Sequence, residues 1–352
     1  MRTAALAAES AGFPFTLINT FGDYGKEGRG LAGDSTLRRY IGTKNPYDIN
    51  IFFINADEMH NAYNHLGKDF YTGKYNIGCW AWELHNFPAP WASSLDIVDE
   101  IWAPSRFIQE AISQRTDKPV IYMPLAVDYN LKDPLPGERF NIPADKFVFL
   151  TFFDFTSFLQ RKNPFAVIKA FNQLSAALPP KNNLILVIKL NNWEHNHKHF
   201  NAFMRMVARN KQIVIIKEIL EDMEMKSLIA RCDCLVSLHR SEGFGRGPAE
   251  AMSLGKPVVV TGYSGNMDYC NEANAFIVDY RLIRVKPGEY PHADGQKWAD
   301  ADISHAVQCM RDVIFDPALA RQKARMGKEY INKFHSPHYI GQRYQRRLQK
   351  LS

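Results

Sequence analysis

Short apolar runs punctuate the chain in two series. The first comprises FTLIN (15–19), INIFFIN (49–55), YNIGCW (75–80), EIWAPS (100–105) and PVIYMPL (119–125). These runs are too short for buried helices, and helical stretches such as SRFIQEAISQR (105–115) lie between them. Continuous apolar runs suit strands buried on both faces, and intervening helices supply crossovers, so the pattern predicts a parallel sheet in an α/β layer fold. A stretch rich in proline and polar residues, DYNLKDPLPGERFNIPAD (128–145), then reads as a linker. The second series is KFVFLTFF (146–153), NNLILVIKL (182–190), QIVIIKEI (212–219), CDCLVSLHR (232–240), KPVVVTG (256–262) and NAFIVDY (274–280). The economical architecture is two Rossmann-like domains joined by a hinge, over residues 1–135 and 145–335. The chain opens on a helical stretch, MRTAALAAESAG (1–12). A Rossmann-like half ordinarily begins with a strand and a glycine-rich turn, so the first strand of the N-terminal domain is expected to be missing. At the other end Ile340, Tyr344, Leu348 and Leu351 recur at helical spacing, which predicts a final helix over about 336–352 with one apolar stripe.

Composition narrows the class. The chain is 46% hydrophobic, 12% aromatic and 23% charged, as in a soluble globular protein. The longest apolar run, FVFLTFF (147–153), is far shorter than the ~20 residues of a membrane span. The first residues lack the form of a signal peptide. The five cysteines lie in apolar stretches and suit a reducing, cytoplasmic compartment. Charge is uneven: residues 1–128 hold 11 Lys+Arg against 15 Asp+Glu, 129–320 hold 23 against 21, and 321–352 hold 9 against 1. The basic excess is thus a tail, which argues against a nucleic-acid face. The basic side of that tail can meet the acidic first domain or the inner face of a membrane, as a peripheral contact.

The stretch with most chemical content is SEGFGRGPAEAM (241–252). VSLHR before it predicts a strand ending near Arg240, and PAEAMSLG after it a helix with Pro248 in its first turn and Gly255 as its stop. Gly243, Gly245 and Gly247 therefore sit in a turn between a strand's carboxyl end and a helix N-terminus, the edge where open α/β sheets bind ligands. Free N–H groups and the helix dipole favour a phosphate there. Glu242 precedes the turn and Glu250 lies in the helix, so the two can reach opposite ends of an elongated ligand, with Glu250 accepting ribose hydroxyls. The plain alternative is two surface glutamates beside a tight turn.

EGFGRGPAEAMSLGKPVVVTGYSGNMDY (242–269) resembles the signature of family 4 retaining glycosyltransferases, the bacterial "group 1" members, which have the GT-B fold. VDEIWAPSRF, PLAVD, FDFTSFLQRKNPFAVIKAF, EYPHADGQKWADAD and FHSPHYIGQRYQRRL extend the likeness to roughly residues 1–350. The resemblance implies two Rossmann-like domains facing a cleft, with the C-terminal helix crossing back to the first domain. It implies transfer of a hexose from a nucleotide diphosphate sugar to a hydroxyl of a glycan or lipid-linked acceptor. It further implies that Glu242 contacts the donor sugar near the reacting carbon, that backbone amides of Phe244 and Gly245 hold sugar and phosphate, and that Glu250 clamps the ribose. Lys162 in RKNP matches the lysine on the diphosphate, with Arg161 assisting. Leu220 marks the turn where the nucleobase meets backbone. In CWAWEL (79–84), Glu83 matches an acid that positions the acceptor. The family pattern departs at Thr156, where a partner arginine is usual, and at Trp82, where a histidine is usual. No cofactor and no Asp-x-Asp metal site are implied.

Other signals carry less. His195, His197 and His199 alternate in a polar loop without supporting carboxylates, and GKEGRG (25–30) reads as a loop bordering the acceptor cleft. Trp80, Trp82 and Trp91 suit sugar stacking or simple core packing. A non-catalytic or truncated GT-B protein that binds nucleotide without transfer is the main alternative. A dehydrogenase is disfavoured by the lack of a strand-linked G-x-G-x-x-G.

Overall fold

A computed structural model describes residues 1–20, 37–128, 131, 133–179 and 183–351, without the side chains of residues 195, 196 and 198. The GKEGRG loop lies outside the described residues. The chain divides into two compact units, one of Met1–Asp128 with Lys333–Ser352, the other of Tyr129–Asn332.

The first unit contains a parallel sheet of β1 (Ile49–Phe52), β2 (Tyr75–Cys79), β3 (Glu100–Ala103) and β4 (Val120–Tyr122), in the order β1-β2-β3-β4. Two helices, Arg2–Ala11 and Pro337–Leu348, cover this sheet through a core of Ala4, Ala7, Ile77, Trp102, Met123, Ile340 and Tyr344. Tyr344 stacks on Trp102 at 4.9 Å between ring centroids. Gly341 makes the helix crossing close: a Cβ there would stand 2.0 Å from the Ala7 carbonyl oxygen. The final helix starts where Ser336 Oγ accepts from Tyr339 N–H. The predicted apolar stripe is the buried one, with Ile340 and Tyr344 enclosed and Leu348 and Leu351 packed at the margin.

FTLIN is not a strand. Leu17 makes one parallel bridge to Ile41 and the ring of Phe15 stacks on Tyr40, so its apolar residues are satisfied in a loop.

The second unit holds β5 (Phe147–Asp154), β6 (Leu184–Asn191), β7 (Ile213–Ile216), β8 (Cys234–Ser237), β9 (Val258–Thr261) and β10 (Phe276–Val278). All neighbours pair parallel, in the order β10-β9-β8-β5-β6-β7. The chain winds outward from β5 to β7, returns beside β5 as β8, and winds outward the other way. That reversal makes the β5–β8 boundary a topological switch point. The inner strands β5, β6, β8 and β9 are enclosed on both faces, so their sequences read as apolar runs rather than alternations. The expected strand at NAFIVDY instead breaks at Asp279, and Tyr280 opens an antiparallel hairpin of β11 (Tyr280–Arg284) and β12 (Lys297–Ala301). Among the described residues no helix is long and apolar enough to cross a membrane.

Candidate functional site

The two strands at the switch point each deliver charged residues at their carboxyl ends. After β5 the chain makes a 3-10 turn over Phe155–Ser157, and Phe158 enters a one-turn helix, Leu159–Lys162. Phe158 holds φ 63°, an unfavourable value for a bulky residue, and its ring rests on Tyr290 from the β11–β12 loop at 4.7 Å. Asn163 closes the turn at φ 50°, and its Nδ2 donates to the Leu238 carbonyl oxygen at 2.9 Å. This locks the β5 turn onto the strand end that leads to Glu242.

Glu242 is 8% exposed and sits between two cations. Lys162 Nζ donates to its Oε1 at 2.5 Å and Arg161 Nη1 to its Oε2 at 3.2 Å. Arg161 also donates to the Ser241 carbonyl oxygen at 3.1 Å, and its guanidinium lies 5.8 Å from the centre of the Tyr290 ring. Burial pushes the Glu242 carboxyl up, but Lys162 and then Arg161 outweigh that and hold it at about 2. Glu242 is therefore a fixed anion at neutral pH rather than a group that exchanges protons. Lys162 is the more exposed of its two cations, with 23% of its side chain open against 6% for Arg161.

Backbone contacts fix the carboxylate's base. Glu242 N–H donates to Ser264 Oγ at 2.8 Å, and Gly265 N–H donates to the Glu242 carbonyl oxygen at 2.9 Å. A Cβ on Gly265 would meet the Gly243 carbonyl oxygen at 2.1 Å, so only glycine permits this approach. Beneath lies His239, fully buried, whose Nε2 donates to Asn266 Oδ1 at 3.0 Å while Ser237 Oγ stands 3.0 Å from its Nδ1. Burial lowers the pKa of that imidazole.

Gly245 adopts the left-handed conformation (φ 86°, ψ 58°) and starts the helix Arg246–Ser253, which no side chain caps. The Tyr269 hydroxyl donates to the Gly245 carbonyl oxygen, and the Phe244 ring packs against Tyr269 at 5.2 Å. Glu250, also 8% exposed, accepts from Arg246 Nη2 at 3.0 Å. The second unit thus brings together Arg161, Lys162, Glu242 and the turn of Gly243, Phe244 and Gly245, with Glu250 one helix turn further on. Leu220 lies in the loop that follows β7, just before Glu221, whose side chain forms a capping box with Glu224 for the helix Asp222–Arg231. Glu83 belongs to the first unit, half-buried in the loop after β2. Trp82 beside it is buried, donates from Nε1 to the Asn86 carbonyl oxygen at 2.9 Å, and packs edge-on against Trp91 at 4.9 Å. Trp80 is wholly buried against Phe87, so Trp80 and Trp82 act as core residues.

Sequence reasoning missed Arg246, Ser264, His239 and Tyr290. The first was visible in its i,i+4 spacing to Glu250. Tyr290 lies in the EYPHADGQKWADAD stretch, but no local pattern places its ring against Arg161. Thr156 donates to Asp154 through both its N–H and its hydroxyl, so it shapes the β5 turn. Among the described residues no cluster of His, Cys, Asp and Glu is arranged to hold a metal ion. The five thiols are unpaired, and burial raises the pKa of each.

A doubly wound parallel sheet with a glycine-lined, cation-bearing turn at its switch point presents an edge whose N–H groups and cations favour an anionic group. Residues 140–282, which span β5 to β10 and the Glu242 cluster, match the family described as glycosyl transferases group 1. A glycosyltransferase of Rickettsia africae shares the fold over 99% of this chain and 94% of its own, at 14% identity and a TM-score of 0.72. HepE of Anabaena, solved with UDP-glucose, aligns over 86% of this chain and 79% of its own, at 16% identity and a TM-score of 0.65. Sucrose-phosphate synthase of Thermosynechococcus elongatus aligns over 91% of this chain and 76% of its own, at 14% identity and a TM-score of 0.64. At these identities the likeness is one of fold, the Rossmann-like α/β fold of GT-B glycosyltransferases. A search of curated protein sequences finds no match.

Proposed function

We propose that this chain is a retaining glycosyltransferase that moves a hexose from a nucleotide diphosphate sugar to a hydroxyl of a glycan or lipid-linked acceptor, without a metal. The observation that carries this reading is the Glu242 carboxylate held between Lys162 and Arg161 at the switch point, beside the uncapped helix that Gly245 starts. Two cations against one carboxylate leave the cluster net positive. A leaving diphosphate gains charge in the transition state, and fixed cations with helix N–H groups stabilise it. Lys162, the more exposed cation, takes the diphosphate. Arg161, braced by Tyr290, keeps Glu242 in place when Lys162 turns to the phosphates. Gly243, Phe244 and Gly245 present backbone to sugar and phosphate, Glu250 takes the ribose hydroxyls, and Leu220 meets the base. Glu83 orients the acceptor hydroxyl.

Retention and metal independence are read in one experiment: transfer or donor hydrolysis with UDP- and GDP-sugars in EDTA, with the anomeric configuration of the first-formed product followed by NMR. An inverted product, or activity lost to EDTA and restored by a divalent cation, overturns that part of the reading. A second reading, nucleotide binding without transfer, is favoured by Trp82, which stands buried and hydrogen-bonded where the resembling enzymes place a histidine. It predicts UDP or GDP binding with no turnover of any donor.

A further inference from the structure

We propose that the groove between the final helix and edge strand β4 is a docking site for the phosphate headgroups of an anionic bilayer. The groove, of about 520 Å³, has an apolar wall of Ile121, Met123 and Tyr339 and a rim of Arg343, Arg346 and Lys350. Offsets of three and seven residues put those cations on one side of the final helix and its terminal turn. From residue 333 to 352 the sequence contains no Asp or Glu. The neighbouring carboxylate, Glu100, is wholly buried and taken by Arg347. Arg343 is planted at the sheet edge, donating to the Tyr122 carbonyl oxygen at 2.6 Å with its guanidinium over the Tyr122 ring. Arg346 and Lys350 are exposed.

The pairing of an apolar wall with a cationic rim selects the occupant. A free phosphate gains nothing from Ile121, Met123 and Tyr339, whereas a lipid offers a phosphate and, beside it, glycerol and acyl carbons. Long cationic side chains keep their heads in water while their stems lie on the apolar boundary. The site lies in the first unit, so it does not depend on the donor-site reading.

The test is sedimentation of the full chain with vesicles of phosphatidylcholine alone or mixed with phosphatidylglycerol. Each cation removed near an anionic surface weakens binding roughly fivefold, so Arg346→Gln with Lys350→Gln is expected to weaken it roughly thirtyfold. A control with equal charge loss at the exposed Arg321 and Arg325 is expected to change it little. Binding only to the anionic vesicles, lost in the groove variant and kept in the control, supports the proposal. It is overturned by no binding, by equal binding to both vesicles, or by equal loss in both variants, which signals diffuse charge attraction. Displacement by inorganic phosphate beyond that by sodium chloride of equal ionic strength also overturns it, because the site then serves free phosphate.

Discussion

Glu242→Gln separates the electrostatic account of the candidate site from a merely geometric one. Glutamine keeps the shape and can still accept one hydrogen bond, but it removes the charge that balances Arg161 and Lys162. The wild-type carboxyl stands at about 2, against about 4.3 in an open peptide, which corresponds to about 3 kcal/mol favouring the charged form in the folded protein. Losing one partner of a buried pair costs about 3–5 kcal/mol in comparable sites, because the remaining charge stays buried. Arg161 is the residue left in that position, with 6% of its side chain exposed. A destabilisation of about 3 kcal/mol lowers the melting temperature of a unit this size by roughly 6–12 °C. The same change frees Lys162, so UDP affinity holds or rises while transfer falls. Calorimetry and a melting curve on the same sample read both effects. An unchanged melting temperature would refute the ion cluster. A tenfold loss of UDP affinity would refute the division of labour, since Glu242 would then itself be a nucleotide ligand.

Other expected outcomes follow from the same geometry. Glu250→Ala loses a charged acceptor and weakens UDP or GDP binding by about 1–3 kcal/mol, checked by calorimetry. Gly341→Val drives a side chain into the Ala7 carbonyl and lowers the melting temperature of the first unit, whereas a wild-type curve would show the two helices are not in contact. His335 is buried against the Leu125 carbonyl, and burial lowers its pKa to about 4. A histidine whose folded pKa lies below its unfolded value of about 6.5 contributes stability that is full above that pH and fades as pH falls toward 4, by about 3 kcal/mol in all. His335→Gln therefore flattens the denaturation midpoint over that window, and an unaltered slope counts against the assignment.

The parts of the fold legible in sequence are those decided by local apolar density. Strands β5, β6, β8 and β9 are enclosed on both faces and read as unbroken runs. The stripe of Ile340 and Tyr344 was visible because helical spacing alone sets it. FTLIN misleads for the same reason: its composition is that of a strand, but its pairing reduces to one bridge at Leu17. At the candidate site, the Gly245 turn and the flanking glutamates were legible because a left-handed helix start demands glycine. The burial of Arg161 was not, since it depends on Tyr290, delivered by a hairpin that a run of residues cannot place. Nor was the Lys162–Glu242 pair, which forms because β5 and β8 are adjacent at the switch point.

The central claim is that the Glu242 cluster binds a nucleotide diphosphate. A crystal structure of the chain with UDP bound tests it most directly. Diphosphate oxygens are expected within hydrogen-bond reach of Lys162 Nζ and the amides at Gly245, with the ribose hydroxyls on Glu250. UDP seated elsewhere, or an intact Lys162–Glu242 pair with the nucleotide present and no contact to either, would contradict it.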